Sequence, residues 1–135
     1  MAGEGSSGSG GGDRIVRYIQ EADFDREVLE SAVPVVVAFW APWSDPAVLF
    51  APVVTSAARA HEGKVKVVAV NVDETVALRG RYGIAAIPTL LYFEGGKVKG
   101  QIVGTTSRDD VEHLFSGKGS PPGMAPIAAA ARGGA

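Results

Sequence analysis

The fold is decided by one stretch of the chain, Val35-Val36-Val37-Ala38-Phe39-Trp40-Ala41-Pro42-Trp43-Ser44-Asp45-Pro46. Its first six residues are continuously apolar and rich in β-branched side chains, which predicts a central strand buried on both faces. The prolines and Asp45 predict a turn that opens a helix. Leu49, Val53 and Ala57 then recur at helical spacing, so the helix is expected to continue to about His61.

Strand-like and helix-like blocks alternate on both sides of this stretch. On the N-terminal side, the pattern predicts a short strand at Ile15–Tyr18 and a helix that is capped by Asp23 and stops at Pro34. On the C-terminal side, it predicts a buried strand at Val65–Val72, a short helix at Glu74–Tyr82 and a third strand at Thr89–Phe93.

The last part of the pattern predicts a hairpin followed by a helix. Gly95 and Gly96 tolerate the positive φ angles of a tight turn, which would pair residues 90–93 with residues 98–103. Ser107 with Asp110 resembles a capping box that opens the final helix. The order β-α-β-α-β-α-β-β-α predicts an α/β fold whose mixed sheet of about five strands is flanked by about four helices. The early strands are expected to be parallel and the late hairpin antiparallel.

Length and composition predict one domain between two tails. The chain has 135 residues, of which 46% are hydrophobic, and this suits a single core. Residues 1–13 are predicted to be a disordered Gly/Ser linker or tag, residues 14–116 the folded domain, and residues 117–135 a disordered Gly/Pro/Ala tail.

Charge and cysteine content exclude several classes of function. A net charge of −2, from 13 basic and 15 acidic residues, favours neither nucleic acid nor a membrane as partner. The sequence shows no signal peptide and no apolar run of about 20 residues, so we expect a cytoplasmic location. The absence of cysteine excludes disulfides, thiolate metal sites and cysteine nucleophiles.

Several motifs resemble segments of the thioredoxin family, in that family's order and over about 100 residues. They are Ala38–Trp43 with Ser44–Ala47, Leu49 and Ala51-Pro52, then Val68–Asp73, Tyr82-Gly83-Ile84, Ile87-Pro88-Thr89, Phe93–Lys97 and Val103-Gly104. The resemblance implies a thioredoxin fold.

The resemblance also shows what this sequence lacks. The family's Trp-Cys-Gly-Pro-Cys turn aligns its two cysteines with Ser44 and Ala47, and disulfide exchange requires a thiolate. We therefore predict no catalytic residue, and a chain that is not an enzyme as it stands. Further departures fall where the family usually has a buried carboxylate, a glycine and two lysines, at Ala38, Asp45, Val48 and Ala69 respectively.

A peptide-binding groove is implied by the same resemblance. The bond before Pro88 is expected to be cis and to lie beside Ser44, where family members pair with an extended peptide. By this carry-over the groove residues are Trp43, Ser44, Asp45, Pro46, Ile87, Pro88, Gly104 and Thr105. The first functional hypothesis is thus a redox-inactive module that binds a protein or an extended peptide, as a scaffold or chaperone. It is a monomer by default, although the groove could also join a homodimer.

Other interpretations stay open. The main alternative is a thioredoxin-type disulfide oxidoreductase silenced by replacement of its cysteines, through natural divergence or by design. A serine-dependent enzyme would need a base near Ser44, and His61 and His113 are expected to be solvated at helix ends. Pro88 and Trp43 have structural interpretations as well, and Ser44 is predicted to be a helix cap.

No metal or cofactor is predicted. Asn71, Asp73 and Glu74 could suggest a cation site, but oxygen ligands at a strand end more often cap the next helix.

Overall fold

The computed structural model describes residues 15–122, which form one five-stranded mixed sheet. The strands are β1 (Val16–Tyr18), β2 (Val35–Trp40), β3 (Lys66–Asn71), β4 (Thr89–Glu94) and β5 (Lys97–Val103). Their order across the sheet is β1-β3-β2-β4-β5. β1 and β2 run parallel to β3, whereas β4 runs antiparallel to both β2 and β5. The predicted mixed sheet is confirmed.

Three α-helices flank the sheet: α1 (Asp45–Ala60), α2 (Val76–Arg81) and α3 (Arg108–Phe115). A 3₁₀ turn (Glu21–Asp23) and a π-helical turn (Asp25–Leu29) lie between β1 and β2, where a fourth helix was predicted. Ser107 caps α3 as predicted, because its side chain accepts a hydrogen bond from the Asp110 main chain.

The predicted helix cap at Asp23 is wrong. Phe24, the next residue, already lies in a helical conformation, and Asp23 ends the 3₁₀ turn instead of preceding a helix. Its carboxylate accepts hydrogen bonds from the Gln20 main chain at 3.1 Å and from Arg26 at 2.8 Å. Asp23 is therefore the acidic member of a capping box that begins at Gln20, so the helical segment starts three residues earlier than predicted.

Each face of the sheet carries its own hydrophobic core, because alternate residues of β2 point to opposite sides. One core contains Val35, Val37 and Phe39 and packs against Phe24 and Tyr82. The other contains Val36 and is covered by α1 and α3, through residues that include Phe50, Val54, Val111 and Leu114. The burial of both faces explains why the β2 sequence is continuously apolar.

The described residues after α3 lie against β5. Ser120 Oγ accepts a hydrogen bond from the Gln101 main chain at 2.9 Å, and Pro121 is buried. Residues 117–122 therefore contact the folded domain, although they were assigned to the predicted tail. The rest of that tail, residues 123–135, and the linker of residues 1–13 lie outside the described residues. The two boundaries between the three predicted segments stay a prediction.

Candidate functional site

Ser44 is the N-cap of α1 at the carboxyl end of β2. It has extended backbone angles, and its Oγ accepts a hydrogen bond from the Ala47 main-chain N–H at 3.3 Å. Pro46 occupies the second helical position, where a missing N–H costs nothing. Ser44 and Ala47 are each only 5% exposed. The predicted capping role of Ser44 is confirmed.

The segment around Pro88 meets this cap. The Ile87–Pro88 bond is cis, as the resemblance implied. Ser44 Oγ donates a hydrogen bond to the Ile87 main-chain oxygen at 3.4 Å. The Pro88 oxygen in turn accepts a hydrogen bond from Gly104 at 2.8 Å. Gly104 has a φ of +83°, a conformation that L side chains rarely adopt. Three segments distant in sequence therefore converge on Ser44 and Pro88.

The other residues of the predicted groove are arranged around this centre. Trp43 is 60% exposed, and its indole Nε1 donates a hydrogen bond to Asp73 Oδ2 at 2.9 Å. Asp45, Pro46 and Thr105 are exposed. The Trp43–Asp73 contact was not predicted, because the two residues are 30 positions apart and lie on different loops. Peptide binding by these residues stays a prediction.

The hydroxyl of Ser44 contacts no side-chain base among the described residues; the main chains of Ala47 and Ile87 are its partners. His61 instead pairs with Glu112 at 2.8 Å, where its hydrogen bond lowers the pKa of that carboxyl. This geometry gives no support to a serine-dependent enzyme.

The residues weighed as a cation site serve the local backbone. Asn71 Oδ1 accepts a hydrogen bond from the Asp73 main chain, and Thr75 Oγ1 donates one to the Asn71 main-chain oxygen. Within residues 15–122, no group of three or more His, Cys, Asp or Glu side chains is placed to hold a metal ion. No helix in the same range is long and apolar enough to cross a membrane.

Sequence reasoning missed an apolar pocket beside the cap. The pocket lies between the sheet and α1, and Ala47 and Pro88 contribute to its lining. The available signal was the small size of Ala38 and Ala69. These residues were noted as departures from the family, but their pairing across adjacent strands was not considered.

Comparison with known proteins shows the same family along nearly all of the described chain. The thioredoxin family model matches residues 15–116. Thioredoxin 1 of Nostoc sp. is 47% identical over 90 residues, which cover 67% of this chain and 84% of that protein. The thioredoxin of Synechocystis sp. is 44% identical over 90 residues, with the same coverage of each chain. The chloroplastic M-type thioredoxin of Spinacia oleracea is 39% identical over 105 residues, which cover 75% of this chain and 58% of that protein.

These findings overturn two predictions. The relatives are named thioredoxins, and nothing in the comparisons supports a redox-inactive binding scaffold, so the main functional hypothesis is wrong. The prediction that the chain is not an enzyme is wrong on the same finding, because thioredoxins are disulfide oxidoreductases. Both predictions rested on the two missing cysteines. They gave less weight to the Ser44 cap, the cis bond before Pro88 and the Gly104–Pro88 hydrogen bond, all of which are present. With this fold and these relatives, the chain belongs to the thioredoxin family.

Proposed function

We propose that this chain is a thioredoxin-type disulfide oxidoreductase silenced by replacement of its cysteines, with Ser44 and Ala47 at the two sulfur positions. The observation that carries the proposal is the hydrogen bond from the Ala47 main-chain N–H to Ser44 Oγ, at 3.3 Å. This contact places the N-terminus of α1 beside Ser44 Oγ, the position that a sulfur would occupy.

The electrostatics of this position suit a thiolate. The free N–H groups and the dipole of α1 place partial positive charge at its N-terminus, which favours a negative atom there. Cysteines at helix N-termini have a pKa below the ordinary thiol value of about 8.5. A sulfur at position 44 would therefore be a nucleophile near neutral pH. A sulfur at position 47 would lie in the first turn of the same helix.

Substrate recognition would use the main chain beside Pro88. The Ile87 oxygen lies 3.4 Å from Ser44 Oγ, and the Ile87 side chain is half-buried. An extended peptide that carries a disulfide could pair with this segment by strand addition while it presents a sulfur to position 44. The exposed Trp43 ring would form one wall of such a groove.

The exchange needs two sulfurs in sequence. A thiolate at position 44 would attack one sulfur of the substrate disulfide, forming a mixed disulfide and releasing the first substrate thiolate. A thiolate at position 47 would then attack the sulfur at position 44 and release the second substrate thiolate. An external dithiol would reduce the resulting intramolecular disulfide.

The test is to restore both sulfurs with Ser44→Cys and Ala47→Cys in one chain. We expect this double variant, with dithiothreitol as reductant, to reduce the interchain disulfides of insulin faster than the unmodified chain does. The rate is followed as the turbidity of the released chains. Alkylation by iodoacetamide across a pH series, read by mass, should give a pKa below about 8.5 for one of the two introduced thiols.

The matched controls are the two single variants, Ser44→Cys and Ala47→Cys. Each carries one thiol in the same surroundings, and neither can resolve its mixed disulfide within the chain. Turnover would then need dithiothreitol to attack that mixed disulfide, so we expect both single variants to be slower than the double variant. A folded double variant that is no faster than either single variant would overturn the proposal.

We further propose the cytoplasm as the compartment, a point that fractionation of the source cells would test.

A further inference from the structure

An apolar pocket of about 170 Å³ lies between the sheet and α1. Ala38, Ala69 and Leu90 line it from the sheet, and Phe50 and Val54 line it from α1. Two of its residues, Val48 and Tyr18, are 47% and 66% exposed, so the pocket opens to solvent between β1 and the start of α1.

The pocket exists because two small residues face each other in the centre of the sheet. In the strand register, Tyr18 lies opposite Ala69, Ala69 opposite Ala38, and Ala38 opposite Leu90. The two central members of this row contribute only methyl groups beneath α1. The effect is visible in burial: Val36, on the same face of β2, is fully buried, whereas Ala38 is only half-buried.

The lining of the pocket offers no counterion to a charged ligand. No charged residue is among the described residues that line the pocket, and its polar side chains are those of Tyr18, Trp40 and Thr55. Three of the four departures noted in the sequence, Ala38, Val48 and Ala69, lie in this lining. A cation that entered would lose its hydration without gaining an anionic counterion, at a large cost in free energy.

One wall of the pocket is aromatic. The rings of Tyr18 and Trp40 meet edge to face, with their centroids 5.6 Å apart and an interplanar angle of 79°. Phe50 adds a third ring from α1. A further aromatic ring could join such a group in the offset or edge-to-face geometry that aromatic pairs prefer.

We propose that this pocket binds a small uncharged molecule containing one aromatic ring, with roughly six to eight non-hydrogen atoms. An apolar cavity of about 150 Å³ in a protein is known to accept benzene, so the volume found here suits a ring of that size with one small substituent. A dissociation constant of about 1 mM or tighter is expected for a ligand this small.

The test is a titration of the full chain with toluene, followed by the amide and methyl shifts of the pocket residues in heteronuclear NMR spectra. We expect saturable shifts at Ala38, Ala69 and Val54. Benzylammonium, which has the same ring and a positive charge, should produce at least tenfold weaker binding. Toluene should also raise the melting temperature, because it binds the folded state.

The matched variants are Ala38→Leu, which fills the pocket, and Ala77→Leu, which makes the same change at an exposed position of α2 outside the pocket. We expect Ala38→Leu to abolish the shifts and Ala77→Leu to retain them. If Ala38→Leu melts below the assay temperature, Ala38→Val replaces it and should weaken binding severalfold.

Three results would overturn the proposal. The first is an absence of saturable shifts with toluene, and the second is equal binding of benzylammonium. The third is a set of shifts at the same residues that depend on protein concentration in the absence of toluene and vanish in Ala38→Leu. Such shifts would identify a second copy of the chain as the occupant.

Discussion

The contact between β5 and the residues after α3 gives a quantitative prediction through Gly100. This residue is buried in β5, opposite Tyr92. A Cβ added at Gly100 would lie 2.8 Å from the carbonyl carbon of Gly119 and 3.0 Å from the nitrogen of Ser120. It would also lie 2.9 Å from Leu114 Cδ1. The leucine methyl can move aside, but the two backbone atoms can yield only if the segment shifts away from the strand.

Gly100→Ala is expected to lower the free energy of unfolding by a net amount of about 2 kcal/mol, within a range of about 0.5–4 kcal/mol. Overpacking costs about 1–3 kcal/mol, and loss of the hydrogen bond from Gln101 to Ser120 adds about 0.5–1.5 kcal/mol. Replacement of glycine by alanine in a strand returns about 0.5–1 kcal/mol. The melting temperature should fall by about 4–8 °C for each kcal/mol.

The assay is urea unfolding, followed by circular dichroism, of four chains: the unmodified chain, Gly100→Ala, a deletion of residues 117–135, and the combination of both changes. In the deleted chain both backbone contacts are absent, and Leu114 Cδ1, the end of a buried side chain, remains near the new Cβ. The substitution should therefore cost at least about 0.5 kcal/mol less there than in the full chain. The coupling between the two changes should therefore exceed about 0.5 kcal/mol. Equal costs in the full and the deleted chain would show that residues 117–122 do not press on β5, and would refute the reasoning.

Two further predictions concern Glu27 and the helix caps. Lys66 lies 2.7 Å from Glu27, with Arg17 at 3.3 Å, and the hydrogen bond from Lys66 is the main cause that lowers the pKa of Glu27 below its usual value of 4.5. A lowered folded-state pKa contributes stability that is fully present above about pH 4.5 and is lost as the pH falls through the folded-state pKa. Glu27→Gln removes this contribution, so the free energy of unfolding should depend less steeply on pH below about 4.5. A curve unchanged by that substitution would contradict the assignment. Ser44→Ala and Ser107→Ala each remove an N-cap acceptor and should each cost about 0.5–2 kcal/mol in urea unfolding. Losses below about 0.3 kcal/mol in both variants would show that the caps contribute little.

The strands and the main helix were predictable because periodicity records which faces are buried. Val35–Trp40 forms β2 with the bounds expected, since a run of six apolar residues that is rich in β-branched side chains suits a strand buried on both faces. The segment before it was harder to predict. Asp23 has the chemistry of an N-cap, and only its position within a 3₁₀ turn, which periodicity does not resolve, makes it the acidic member of an earlier capping box.

The parts of the site that depend on local backbone conformation were predictable from the sequence. The pocket, which depends on how much space is left between packed elements, was not. The cis bond before Pro88 followed from the family resemblance, and the cap at Ser44 followed from the residue type at the start of a predicted helix. The pocket depends on the register that places Ala38 beside Ala69 and on the helix that covers them. A hydrophobicity pattern scores alanine and valine alike as apolar, so it predicts a fully packed core at position 38. The structure has the pocket there instead.

The residues at positions 44 and 47 suit the start of a helix whether or not the chain carries out redox chemistry. Serine is among the preferred N-cap residues, and Ser44 satisfies an N–H group at the start of α1 that would otherwise lack a partner. Alanine has the highest helix propensity, and Ala47 adds only a methyl group to a buried position of the first turn. Because both residues suit the local structure, serine at position 44 and alanine at position 47 are compatible with a well-packed start of α1. Measurements of stability would therefore not distinguish a silenced oxidoreductase from any other thioredoxin-like chain, and the proposed function has to be tested by restoring thiols at positions 44 and 47.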